Sequence, residues 1–99
     1  MASKFTILWS DESVRNLEEI LNYLEKEWTW REVERFKEQL LKQLNLIQQF
    51  PQLFPKSEIN RRIRRAVMNR HITIYYEIKG NRIQLAYLFN NRKDPSKLK

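Results

Sequence analysis

Two runs of alternating apolar and polar residues flank the only glycine of the chain, Gly80. In residues 71–78 apolar side chains occupy the even-numbered positions. In residues 82–89 a large apolar side chain stands at every odd-numbered position. Alternation with a period of two predicts β-strands with one apolar face, and Lys79-Gly80-Asn81 predicts the turn that joins them. The sequence therefore predicts a β-hairpin whose apolar face must be covered by other elements.

Two amphipathic helices are predicted ahead of this hairpin. Ser10 has the properties of an N-cap residue, and apolar residues recur at steps of three and four across residues 11–27. Thr29 and Glu32 have the spacing of a capping box, which starts a second helix that continues to about Gln49. The short link between the helices predicts an antiparallel α-hairpin. The two apolar stripes consist of Val14, Leu17, Ile20, Leu21, Leu24 and Trp28, and of Val33, Phe36, Leu40, Leu41, Leu44 and Ile47.

Two further strands complete the expected fold. Residues 5–9 and 62–68 are short runs of strand-forming residues, and residues 50–58 form a connector that two prolines keep extended. The order β-α-α-β-β-β predicts an α+β fold, with the antiparallel α-hairpin packed on a small, mainly antiparallel twisted sheet. We expect residues 1–99 to form a single domain with a polar tail, residues 90–99. Either of the two short strands is a candidate edge for a partner strand, and the sequence does not choose between them.

Charge is distributed unevenly along the chain. Residues 1–50 hold 7 Lys and Arg against 9 Asp and Glu, while residues 51–99 hold 12 against 3, giving net charges of −2 and +9. This asymmetry predicts a polyanionic partner, either a nucleic acid or an acidic protein segment.

Several classes of protein are excluded by what the sequence lacks. With no cysteine and one histidine, the chain has no disulfide and no ordinary zinc site, and we expect neither a metal nor a cofactor. It has no apolar run long enough to cross a membrane and no signal-peptide pattern, so a cytoplasmic location is expected.

Three segments carry a resemblance to a known family. Residues 63–67 read Ile-Arg-Arg-Ala-Val, residues 71–78 read His-Ile-Thr-Ile-Tyr-Tyr-Glu-Ile, and residues 88–95 read Leu-Phe-Asn-Asn-Arg-Lys-Asp-Pro. Together with the strand at residues 5–9 and its Ser10 cap, they resemble the RelE/ParE toxins of type II toxin–antitoxin systems, which include plasmid stabilisation proteins. The likeness extends over nearly the whole chain.

The resemblance implies one of two activities. RelE-like members cut messenger RNA on the ribosome, whereas ParE-like members inhibit DNA gyrase by binding it and catalyse nothing. Both kinds are neutralised by a cognate antitoxin, whose acidic or amphipathic C-terminal segment wraps the toxin in a hetero-oligomer. Metal-independent RNA cleavage needs a base, an acid and cations, for which Arg64, His71 and Arg92 are the candidates.

Departures from the ribonuclease pattern favour the ParE-like interpretation. Thr73 stands where RelE-like ribonucleases often have a basic residue, and Asn90 and Asn91 stand where many carry a histidine or a tyrosine. The predicted function is therefore a growth-inhibiting toxin that binds gyrase or a related topoisomerase. A RelE-like ribonuclease is the first alternative, and a degenerate antitoxin-binding module without toxicity is the second.

All but one of the candidate contacts to target or antitoxin are cationic or aromatic, because such groups bind polyanions and stack on bases. Tyr87 shares the alternation of Ile83 and Leu85, so it is interpreted as a core residue, and Phe89 likewise. Trp30, beside the helix cap, is expected to be exposed. The predicted contacts are Arg61, Arg62, Arg64, Arg65, Arg70, Arg82, Tyr75, Asn91 and Arg92.

Overall fold

The computed structural model describes residues 4–90, and these residues form four strands and two helices. The order confirms the predicted β-α-α-β-β-β succession, with boundaries within two residues of those expected. Asn91 and Arg92 lie outside the described residues. The elements are β1 (Thr6–Trp9), α1 (Asp11–Glu27), α2 (Trp30–Gln49), β2 (Arg64–Val67), β3 (Ile72–Lys79) and β4 (Arg82–Asn90).

Side-chain caps fix the start of each helix. Ser10 Oγ accepts a hydrogen bond from Ser13 N at 3.0 Å, and Thr29 Oγ1 accepts one from Glu32 N at 3.4 Å. Each bond gives a side-chain acceptor to an amide at the start of a helix, where acceptors from a preceding turn are lacking. The two caps predicted from the sequence are therefore confirmed.

The strands form one sheet in the order β1-β4-β3-β2. Strand β4 lies parallel to β1 and antiparallel to β3, and β3 lies antiparallel to β2, so the sheet is mainly antiparallel as predicted. Gly80 begins the two-residue turn between β3 and β4 with a φ of 61°. Glycine is required there because this backbone conformation disfavours side chains.

The two helices cover one face of the sheet, which we call the covered face. Tyr76 is fully buried on it, and its hydroxyl donates a hydrogen bond of 2.6 Å to the carbonyl oxygen of Pro51 in the connector. The buried core consists of Ile20, Phe36, Leu40, Ile47, Ala66, Ile72, Ile74, Tyr76, Ile83, Leu85 and Leu88.

A bulge in β4 corrects one sequence-based prediction. Tyr75 pairs with Tyr87 but Tyr76 pairs with Leu85, so Ala86 is an extra residue in the ladder. Beyond the bulge the alternation is reversed, and Leu88 is buried instead of its neighbours. The prediction that Tyr87 and Phe89 belong to the core stripe of Ile83 and Leu85 is therefore wrong.

Two side chains at the start of α1 bind the backbone around this bulge. Ser10 Oγ donates a hydrogen bond of 2.8 Å to the carbonyl oxygen of Ala86, and Asn16 Oδ1 accepts one of 2.9 Å from Leu88 N. These bonds link α1 to β4 at the point where the alternation changes. No helix within residues 4–90 is long and apolar enough to cross a membrane.

Candidate partner-binding surfaces

The sheet face opposite the helices is covered by neither α1 nor α2, and we call it the outer face. Strand pairing arranges its side chains in rows that run across the strands. Three cations and one carboxylate lie among aromatic and polar groups. The outer face carries Thr6, Leu8, Arg65, Val67, Thr73, Tyr75, Glu77, Lys79, Arg82, Gln84, Tyr87 and Phe89.

The central row of the outer face contains two stacked tyrosines. The ring centroids of Tyr75 and Tyr87 are 4.5 Å apart, and the ring planes differ by 21°. Burial raises the pKa of Tyr87 above its usual value of 10.0, and the neighbouring Tyr75 and Glu12 raise it further. The phenol of Tyr87 is therefore neutral near pH 7, so it suits stacking and hydrogen bonding rather than charge transfer.

Cations lie on both sides of the tyrosine pair along the sheet. Arg65 pairs with Tyr75 across β2 and β3, and Lys79 pairs with Arg82 at the turn end of the hairpin. Arg65 and Arg82 are exposed and form no ion pair with the described residues. Both predicted contacts are therefore available to a partner.

Arg64 points the other way, toward the connector. Its Nη1 donates hydrogen bonds to the carbonyl oxygens of Phe54 at 2.7 Å and Gln52 at 3.4 Å. Burial raises the pKa of the nearby Tyr76 to about 12, although the positive charge of Arg64 lowers it somewhat. Arg64 and Tyr76 together fasten the connector to the sheet, which gives this arginine a structural task.

The loop before β2 presents two more of the predicted arginines. Arg61 and Arg62 are exposed, and Asn60 Oδ1 accepts a hydrogen bond of 3.0 Å from Arg62 N. Ile59 on the same loop is 98% exposed. Arg70 is also exposed, in the turn between β2 and β3.

His71 lines a cleft between the helices and one end of the sheet. Its backbone amide donates a hydrogen bond of 2.8 Å to Asn69 Oδ1, which also accepts from Ile72 N. The cleft has a volume of about 220 Å³, and its polar lining includes Glu32 and Arg35. The sequence pointed to Glu32 only as a capping residue, and it gave no signal for Arg35.

Two of the three candidate catalytic residues, Arg64 and His71, are not brought together, and the third, Arg92, lies outside the described residues. Arg64 pairs with Tyr76, and Tyr76 lies five positions beyond His71 in the chain. At ~3.3 Å per residue, Arg64 and His71 are therefore about 16 Å apart along the sheet. Thr73 is buried, with 6% of its surface exposed. Within residues 4–90 there is also no cluster of three or more potential metal ligands.

The two edges of the sheet differ. The outer edge of β2 is paired with the connector, because Arg65 N donates a hydrogen bond of 2.9 Å to the carbonyl oxygen of Pro55 and Lys56 bridges to Arg64. In β1 the amides of Thr6 and Ser10 face β4. The peptide groups of the residues between them, at positions 7 and 9, therefore point outward along an edge that no described strand covers.

An apolar groove lies beside the start of β1. Its volume is about 680 Å³. Three of its apolar side chains are substantially exposed, with Phe50 at 56% and Leu53 at 61%. The lining residues are Lys4, Phe5, Leu46, Gln49, Phe50, Pro51, Gln52 and Leu53.

Sequence analysis missed Asn16 and Gln48, whose side chains bind backbone groups. Gln48 Nε2 donates a hydrogen bond of 2.8 Å to the carbonyl oxygen of Phe5, which ties α2 to the beginning of β1. Asn16 lies three positions after Ser13 and four before Ile20, both buried. A polar residue in line with two buried positions was the available signal for Asn16.

Two helices on one face of a four-stranded sheet, with a basic and partly aromatic opposite face, define a small α+β domain. A solved structure described as "Chromosomal ParDE TA system from P. aeruginosa" superposes with a TM-score of 0.75 at 14% identity, covering 90% of this chain and 98% of that chain. Among curated proteins, no sequence match was found. The model of the family "ParE toxin of type II toxin-antitoxin system, parDE" matches residues 7–95. The chain belongs to the ParE toxin family.

Proposed function

We propose that the chain inhibits DNA gyrase by binding it, and that a cognate antitoxin neutralises this activity. Membership of the ParE family supports the first part, and the uncovered outer face is the observation that carries it. An exposed arginine beside two stacked phenol rings suits binding to a large target. The proposed binding groups on this face are Arg65, Tyr75, Arg82 and Tyr87.

The geometry favours binding over RNA cleavage. Cleavage without a metal needs a base, an acid and cations around one phosphate. Arg64 is engaged with connector carbonyls, and His71 lies far from it in a cleft on the helical side. A ribonuclease that used His71 as its base would need a cation other than Arg64.

We further propose that the antitoxin binds along β1. The outward peptide groups of this strand can accept an additional strand, whereas the connector already occupies the edge of β2. The neighbouring groove with Phe50 and Leu53 can take apolar side chains from the same segment. An extended, amphipathic antitoxin segment with acidic residues fits this surface and the basic C-terminal half of the chain.

Supercoiling of plasmid DNA by purified gyrase tests the inhibitory activity. We expect the chain to block supercoiling and to lose potency when Arg65→Ala and Arg82→Ala are combined. Arg15→Ala and Arg31→Ala, which remove the same charge from the exposed sides of α1 and α2, are the matched control and should leave inhibition intact.

Expression in a bacterial host separates the two toxin mechanisms. Growth arrest with gyrase-linked DNA damage and intact messenger RNA is expected. Arrest with codon-phased cuts in messenger RNA would contradict the gyrase proposal and favour the ribonuclease. No arrest, with soluble protein confirmed, would leave an antitoxin-binding module.

Hydrogen exchange tests the antitoxin site. The outward amides of Ile7 and Trp9 should exchange rapidly in the free chain and become protected when the cognate antitoxin binds. The inward amide of Leu8, which pairs with β4, should be protected in both states and serves as the internal control. New protection elsewhere, with Ile7 and Trp9 unchanged, would place the antitoxin on another surface.

A further inference from the structure

We propose that the central row of the outer face binds single-stranded DNA, with one base stacked on Tyr75 and its phosphate held by Arg65. The register places Arg65, Tyr75 and Tyr87 side by side on three neighbouring strands. Strands lie about 4.8 Å apart, so the row is about 10 Å long, which is enough for one or two nucleotides.

The direction of the tyrosine stack supports this proposal. The 4.5 Å between the ring centroids is close to the spacing of the strands, so the stack runs across the sheet from Tyr87 to Tyr75. The face of Tyr75 that is turned away from Tyr87 looks toward β2. A base on that face extends the stack by one ring, as bases do on aromatic platforms in single-strand binding proteins.

Charge on the outer face suits the phosphates of such a strand. Arg65 is beside Tyr75, and Lys79 and Arg82 form the row at the turn end. Glu77 is the one carboxylate among the outer-face residues, and it pairs with Gln84 between these two groups of cations. The cations outnumber the carboxylate, which favours a polyanion over an acidic-and-basic protein surface.

Single strands fit better than a duplex because only an unpaired base exposes a ring face for stacking. The choice of DNA over RNA rests on the proposed function, because the target proposed there, DNA gyrase, acts on DNA. The stacking and the arginine contact do not depend on that choice. The inference and the proposed function can therefore fail separately.

Fluorescence anisotropy with a labelled oligothymidylate of about ten nucleotides tests the inference. Tyr75→Leu should weaken binding by roughly 5-fold to 100-fold, the range for loss of one stacked base, whereas Tyr75→Phe should bind like the parent. Arg65→Gln should weaken binding and reduce the salt dependence by about one phosphate contact. Arg15→Gln on α1 is the matched charge control and should have little effect.

Three results would overturn the inference. They are the absence of binding at low salt, equal binding by Tyr75→Leu and Tyr75→Phe, or tighter binding of the corresponding oligouridylate. If Tyr75→Leu is unfolded by circular dichroism, backbone NMR shifts of the parent chain replace it. The largest changes on adding oligothymidylate should then occur at Arg65, Tyr75 and Tyr87, and changes centred on the cleft near His71 would contradict the proposal.

Gyrase inhibition by the parent chain, measured beside its binding of oligothymidylate, separates the two proposals. Full inhibition without DNA binding would overturn the DNA inference and leave the proposed function intact. DNA binding without inhibition would overturn the proposed function and leave the inference intact.

Discussion

The covered and outer faces of the sheet use neighbouring residues for opposite purposes. On β2, Arg64 fastens the connector while Arg65 is exposed, and on β3 Tyr76 is fully buried while Tyr75 stacks on the outer face. On β4 the bulge at Ala86 decides which residues reach each face. Residue type therefore predicts little about environment in this sheet, because arginine and tyrosine each occur on both faces with different neighbours.

The largest expected contrast is between Leu88 and Phe89. Leu88→Ala should lower the free energy of unfolding by about 2–5 kcal/mol, because it empties a buried site. Phe89→Ala on the outer face should cost less than half as much. Urea unfolding followed by tryptophan fluorescence measures both, and equal losses would mean that the bulge does not divide the two faces as described.

Removing the side-chain acceptor at the bulge should have the next largest effect. Asn16→Ala leaves Leu88 N without its partner and should cost about 1–3 kcal/mol, the penalty for an unsatisfied buried amide. Asn16→Asp keeps an acceptor and should cost less. Thermal unfolding of the pair measures the difference, and an unchanged melting temperature for Asn16→Ala would show that water replaces the side chain.

The hydrogen bond from the Tyr76 hydroxyl to Pro51 should contribute about 1 kcal/mol to the free energy of unfolding. Tyr76→Phe should therefore destabilise the chain, and Tyr75→Phe should not. The pKa of Tyr76 is raised to about 12 in the folded state, against 10.0 for an ordinary tyrosine. Its neutral form is thus favoured by folding, and this stability is present below pH 10 and is lost as the pH rises toward 12.

Urea unfolding of the parent chain and of Tyr76→Phe between pH 9 and 12 measures this pH dependence as a difference in stability between the two proteins. The two proteins differ only in this hydroxyl, so the comparison with Tyr76→Phe isolates one group. The variant should lose less stability than the parent over this interval. Parallel pH profiles would contradict the assignment.

A further contrast is expected between the two neighbouring arginines of β2. Arg64→Ala should cost about 1–2 kcal/mol because two connector carbonyls lose a charged donor, and Arg65→Ala should cost under about 0.5 kcal/mol. Gyrase inhibition should show the reverse order, with Arg65→Ala the more damaging. The same ranking in both assays would mean that the two faces are not separate in function.

Local signals made most of the fold predictable. The caps at Ser10 and Thr29, the helical stripes and the Gly80 turn each depend on residues close together in the chain, and Trp30 is 74% exposed as expected. The parallel pairing of β1 with β4 and the bulge at Ala86 depend on residues more than seventy positions apart. No periodicity within either strand contains that information.

The candidate site was predictable in type but not in geometry. The cluster of arginines indicated a partner-binding surface, yet the direction of each side chain depends on the strand register. Adjacent arginines at positions 64 and 65 look equivalent in the sequence and point to opposite faces. Tyr87 was assigned to the wrong face because an extra residue reverses the alternation.

The connector strand beside β2 also sets how many chains can join this sheet. A sheet with two open edges can add copies at both ends and grow into a filament, whereas a sheet with one available edge can only form a pair. Any edge-to-edge dimer must then use the same β1 backbone that an incoming partner strand requires. Self-association and inhibition by such a strand are then competing equilibria. Raising the concentration of the partner strand lowers the population of the dimer, and raising the concentration of the chain favours the dimer.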